Sequence, residues 1–175
     1  MTDDAWKTLL NEVHSQGVAA WKAGHRSPTN MFTPGALEFL HSSGCSAQEM
    51  FDFVDDLQSY GEPDFETVYG IQVLRHCYFK EIMNEIPSSH TASMESLPPK
   101  SQAVDGIAWL PRLIVKARLK LRGEMPPDLM YGCGGDRPFV IRMGMTLPSF
   151  LKLVWDCGDN DAEIVASVKK AASLR

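Results

Sequence analysis

The chain has 175 residues, 44% of them hydrophobic, with 17 Lys and Arg against 22 Asp and Glu and a net charge of −5. That length suits one domain, or one domain with a sizeable appendage, and the hydrophobic content is enough for a core. The acidic balance argues against a general nucleic-acid binder, which carries a basic footprint, and suits a soluble protein acting on small molecules.

The first ten residues, MTDDAWKTLL, begin acidic and hold no long apolar run. They resemble neither a signal peptide nor a transit peptide. No apolar stretch approaches the length that spans a bilayer, so no membrane partner is expected. Cys45, Cys77, Cys133 and Cys157 stand far apart without a CxxC pair. They read as free thiols in a reducing compartment, so a cytoplasmic location is expected. No ligand spacing resembles a zinc finger, and no metal site is expected; nothing in the sequence names a cofactor.

Nearly every segment reads as helix, and the expected fold is all-α, with about six helices in two packed halves. From Asp4 to Ala23, Leu9, Val13, Ala20 and Trp21 recur near helical spacing, with Gly17 a weak point and Gly24 a stop. Thr33-Pro34 gives an N-cap followed by proline, opening a short helix that ends near Gly44. Ser46 and Glu49 form a capping box for a helix with Met50, Phe53, Val54 and Leu57 on one face, ended by Gly61. Asp64 caps the next helix, whose apolar positions are Phe65, Val68, Ile71, Leu74, Phe79 and Ile82.

Residues 87–106 are rich in Ser and Pro and poor in apolar residues, and they read as a linker too long for an ordinary connection. The expected organisation is an N-terminal helical half (1–86), this linker, and a C-terminal helical half (107–175). The linker length would permit domain exchange in a homodimer. Beyond it, Leu110, Leu113, Ile114, Ala117 and Leu121 make a clean helical stripe, closed by Gly123. Residues 139–143 are too short to assign. Thr146 caps a helix from Leu147 to Cys157, and Asp159 or Asp161 caps the last one.

The chemistry concentrates in Tyr131-Gly132-Cys133-Gly134-Gly135-Asp136-Arg137. Glycine is used where φ is positive or where something approaches the backbone closely. A thiol becomes useful as a thiolate beside positive charge. Cys133 is therefore a candidate nucleophile or proton donor, Asp136 a general base, Tyr131 an auxiliary donor, and Arg137 an anion clamp. The competing reading makes Cys133 a small packed residue, Asp136–Arg137 a local salt bridge and Tyr131 a packed ring. The loop lacks the GK[ST] ending of a phosphate-binding loop and no convincing strand precedes it.

Arg112, Lys116, Arg118, Lys120 and Arg122 put five cations on one helix without an acid. They suit an anionic ligand, and Arg112 and Lys116 are candidate substrate-binding residues. The bland alternative is a solvated face paired with the acidic run Glu49, Asp52, Asp55, Asp56, Glu62, Asp64 and Glu66. Arg112 is the exception, because a cation in a first turn opposes the helix dipole and wants a specific partner; the glycine loop is the expected one. Of the histidines, His76 is best placed to reach a site.

The segments Leu110-Pro111-Arg112-Leu113-Ile114, Lys116-Ala117-Arg118, the Tyr131–Arg137 loop and Asp159–Val165 together resemble a bacterial family of small uncharacterised proteins, a domain of unknown function. The resemblance covers about residues 104 to 172, and residues 61–66 resemble the N-terminal region of longer members. It implies one unit of fold ending near the C-terminus and transfers no activity. The sequence thus supports an enzyme acting on a small anionic metabolite, or a non-enzymatic binding or regulatory module using the same cations.

Overall fold

A computed structural model of the chain describes residues 3–174. The chain divides into two compact units, Met1–Ile86 and Pro87–Arg175. Among the described residues the fold is all-α apart from one hairpin of two two-residue strands. Among the described residues there are nine α-helices rather than about six.

The first unit holds α1 (Asp3–Lys22), α2 (Pro28–Met31), α3 (Pro34–Ser42), α4 (Ala47–Tyr60) and α5 (Phe65–Glu81). In α1 the buried stripe is Trp6, Leu10, Val13 and Gly17; the expected Leu9 is 38% exposed. Gly17 is no weak point, because neighbouring side chains pack closely against it. A Cβ there would lie 3.0 Å from Val54 and 3.1 Å from Phe32, so the missing side chain sets how tightly α1 packs. The unforeseen α2 follows the Ser27-Pro28 start signal. Ser46 and Glu49 cap α4 reciprocally, and Asp64 accepts the Thr67 N–H at 2.9 Å to start α5. Ile82 falls beyond α5 and is 52% exposed.

The acidic run is used within this unit. Glu49 and Asp64 are caps, Asp55 accepts from the Trp21 indole at 2.8 Å, Asp52 accepts from Gln48 at 2.8 Å, and Glu66 pairs with Lys7 at 2.8 Å.

The second unit holds a 3₁₀ turn (Met94–Ser96), the hairpin β1 (Ala103–Val104) and β2 (Ile107–Ala108), then α6 (Leu110–Arg122), α7 (Asp136–Arg142), α8 (Leu147–Cys157) and α9 (Asp161–Ser173). Residues 87–106 are therefore folded rather than a plain linker. Ala92 and Leu97 pack with Leu119 and Leu129 in a buried cluster. Asp105 and Gly106 both hold positive φ, which suits the Asp-Gly turn of a tight hairpin. Asn160, not Asp159 or Asp161, caps α9 by accepting from Glu163 N–H at 3.2 Å.

Helix α6 is buried on more than its apolar stripe. Leu110, Leu113, Ile114, Ala117 and Leu121 are buried, and so are Lys116 and Lys120. The expected solvated stripe of cations is thus corrected for these two lysines. Arg118 lies against the start of α9, donating to Gly158 O at 2.8 Å and Asp161 at 2.5 Å, and Arg122 pairs with Glu124 at 2.8 Å.

Candidate functional site

The site is assembled by the hairpin, α6 and the loop that opens α7. Trp109 sits between β2 and α6 with φ +74°. A bulky residue in the left-handed region is a true outlier and costs about 1–3 kcal/mol. The conformation is held from both sides. Its N–H donates to Gln102 O at 3.2 Å, and its carbonyl accepts the Leu113 N–H at 3.0 Å. Its indole N–H donates to Asp136 Oδ1 at 3.0 Å, and the edge of its ring lies over Gly135. A Cβ at Gly135 would meet that ring at 2.5 Å, so residue 135 is glycine for want of space.

Asp136 has no exposed surface. Its Oδ2 accepts from Lys116 Nζ in a short ion pair and from the Gly132 N–H at 2.9 Å. Three donors therefore satisfy one buried carboxylate, the condition under which a charge survives burial. Lys116, 2% exposed, also reaches Cys133 Sγ at 3.4 Å. Cys133 is half-buried and unbridged.

The remaining candidates close the loop on itself. Arg137 is 5% exposed and donates to Gly132 O at 2.8 Å. The Asp136 and Arg137 N–H groups both donate to Cys133 O, at 2.8 and 3.2 Å. Tyr131, 1% exposed, donates its phenol proton to Leu147 O at 2.8 Å. Burial, and then the Asp136 charge, push that phenol well above its ordinary range. Arg112 is half-buried and donates to Pro98 O at 2.9 Å; that carbonyl, rather than the glycine loop, is the specific partner its first-turn position demanded.

Lys116, Cys133 and Asp136 are thus brought into one cluster. Asp136 pairs with Lys116. Trp109 is the member that the sequence did not single out. The signal available for it was the Asp105-Gly106 turn, which marks a hairpin delivering Trp109 to the start of α6. Among the described residues no group of His, Cys, Asp and Glu is placed to hold a metal ion, and no helix is long and apolar enough to cross a membrane.

Residues 96–175 match the family model of DUF5069, a domain of unknown function. The match is consistent with an uncharacterised domain family, as the resemblance implied. The match begins inside the segment first read as a linker and takes in the hairpin, α6, the glycine loop and the last three helices. No curated protein and no solved structure matches the chain.

Proposed function

We propose that the DUF5069 unit is an enzyme that handles a small anionic metabolite through the thiol of Cys133. The observation that carries this reading is the Lys116 ammonium 3.4 Å from Cys133 Sγ. A neighbouring cation stabilises negative charge on sulfur, and the thiolate is the nucleophilic form. In this reading Asp136 is a positioning residue rather than the general base. It fixes Lys116 under the sulfur, Trp109 fixes Asp136, and Arg137 and Tyr131 hold the loop. Arg112 lies one turn before Lys116 on the same face of α6. With one guanidinium nitrogen given to Pro98 O, its other donors are available for a substrate carboxylate or phosphate. Four free cysteines fit a cytoplasmic setting.

The test is competitive alkylation with iodoacetamide at neutral pH, read by mass spectrometry. The thiols of Cys77 and Cys157, which burial and then nearby carboxylates push upward, serve as controls. Cys133 is expected to react faster than both, and Lys116→Met to remove the advantage. A Cys133 no faster than the two controls would overturn the reading.

One observation favours a second reading, a non-enzymatic binding or regulatory module. Both Asp136 oxygens are taken up by protein donors, which leaves the cluster without an exposed general base. This version predicts that Arg112→Ala abolishes ligand binding while Cys133→Ser changes little.

A further inference from the structure

The first unit contains a cavity of about 460 Å³, lined by Asp3 and Trp6 of α1, Ser42 and Ser43 at the end of α3, His76, Cys77, Lys80 and Glu81 at the end of α5, and Glu85 beyond it. That volume lies in the range of small-molecule sites. The geometry points to a binding site for a small organic ammonium ion, held by Nε2 of His76 and by the carboxylates around it.

The histidine is prepared as an acceptor. Its Nδ1 lies 3.0 Å from Ser43 O. A carbonyl only accepts, so Nδ1 carries the proton and Nε2 of the neutral ring presents its lone pair. Burial first, with Lys80 and Arg75 adding to it, favours the neutral form, while the Ser43 carbonyl and Glu85 work against it. The ring is also fixed in place. It stacks on Trp6 at a centroid distance of 4.8 Å and an angle of 12°, and the Trp6 indole N–H donates to Ser43 Oγ at 3.0 Å. Ring, indole and Ser43 therefore form one rigid wall, and Nε2 takes up no hydrogen bond among the described residues.

Charge selects the class of ligand. Asp3, Glu81 and Glu85 line the cavity against one cation, Lys80, and none of the four enters an ion pair among the described residues. The C-terminal ends of α3 and α5 both close on the cavity, and a helix C-terminus carries partial negative charge. The N-terminus of α1 opposes them, with Asp3 in its first turn. Glu81 and Asp3 also lie close enough to act on the Cys77 thiol: after burial they push it upward, against the lowering effect of Lys80. Glu85 also sits at φ +60°, directly after Asn84 at +51°. Two successive side-chain-bearing residues in the left-handed region are costly, and they turn the chain so that Glu85 lines the cavity. An ammonium N–H would donate to His76 Nε2 while the carboxylates neutralise its charge.

The experiment is a titration of the full chain with benzylammonium and, separately, with benzoate, which has a similar ring and the opposite charge. The readout is the ¹⁵N resonances of the His76 imidazole. Benzylammonium is expected to shift Nε2 saturably and benzoate to leave it unmoved, with binding weakened by added NaCl. His76→Phe, which keeps a ring against Trp6 but offers no acceptor, is expected to weaken benzylammonium binding, read by calorimetry, about tenfold or more through loss of the charge-assisted hydrogen bond. Glu81→Gln with Glu85→Gln is expected to weaken it while leaving the imidazole resonances of the free protein in place. No saturable shift with benzylammonium on the folded wild-type chain, or an equal response to benzoate, would overturn the proposal. The cavity lies in the first unit, so either result stands apart from the role of Cys133.

Discussion

Lys116 and Asp136 form an ion pair with side-chain exposures of 2% and 0%, joining α6 to the first turn of α7. Such a pair adds little net stability compared with apolar residues, but breaking it leaves a lone buried charge. Lys116→Met is therefore expected to destabilise the protein by roughly 3–5 kcal/mol. The further change Asp136→Leu should recover only part of the loss, since Trp109 Nε1 and Gly132 N–H would then lack their acceptor. Urea denaturation of the two variants checks both statements. A loss below about 1 kcal/mol in the single variant, the scale of an exposed pair, would contradict the buried-pair account.

Gly135 is bound to Trp109 by space alone. A methyl group at residue 135 would sit 2.5 Å from the indole ring, and the ring is held by its hydrogen bond to Asp136. Gly135→Ala should cost about 1–3 kcal/mol, the usual range for overpacking. It should also shift the near-ultraviolet circular dichroism of Trp109. Gly134→Ala is the control, because the nearest atom to a Cβ there is an Arg137 nitrogen at an ordinary 3.7 Å.

The sequence disclosed what depends on local pattern. The α6 stripe was legible because Leu110, Leu113, Ile114, Ala117 and Leu121 repeat at helical spacing. The starts of α4 and α5 were legible because Ser46, Glu49 and Asp64 cap through neighbours three residues away. The burial of Lys116 was not legible, because its partner is 20 residues on and a lysine in a helical pattern is assigned to water. Ala92 and Leu97 gave no periodic signal, yet each fills one place in a buried cluster whose other members lie beyond residue 110. The α1 stripe was misread in register, since Gly17 is buried for its lack of a side chain and no hydrophobic scale marks it. In the candidate site, Cys133, Asp136 and Lys116 were named from residue type. Their mutual arrangement depends on Trp109, whose positive φ no propensity announces.

Tyr131 offers a spectroscopic check on how closed the loop is. Its phenol is 1% exposed, donates to Leu147 O at 2.8 Å, and lies in the field of Asp136. Its ionisation should therefore be absent from the alkaline tyrosine titration until the protein unfolds. Tyr131→Phe should leave the titration of the folded protein unchanged while lowering stability by about 1 kcal/mol for the lost hydrogen bond. A titration amplitude that falls in Tyr131→Phe before unfolding would mean that the phenol is open to solvent.

Asp52 predicts a pH dependence in the first unit. Burial first, and then Glu49, Asp56 and Asp55, push its carboxyl up to about 6, against the lowering effect of the Gln48 amide. A carboxyl whose folded value is raised binds its proton more tightly in the folded state than in the unfolded chain. Stability is then greatest below the unfolded value, declines as pH rises from about 4 to 6, and stays lower above. The full shift would correspond to nearly 3 kcal/mol; because the side chain is partly open to solvent, about 1–2 kcal/mol is the working expectation. Asp52→Asn keeps an oxygen for the Gln48 amide, which donates to Asp52 Oδ1 at 2.8 Å, and it removes the charge. The variant should match wild type near pH 4 and exceed it by that amount at pH 7. Thermal or urea unfolding at both pH values checks this. Equal stability of the two proteins at pH 7 would place Asp52 in water rather than against the acidic face of α4.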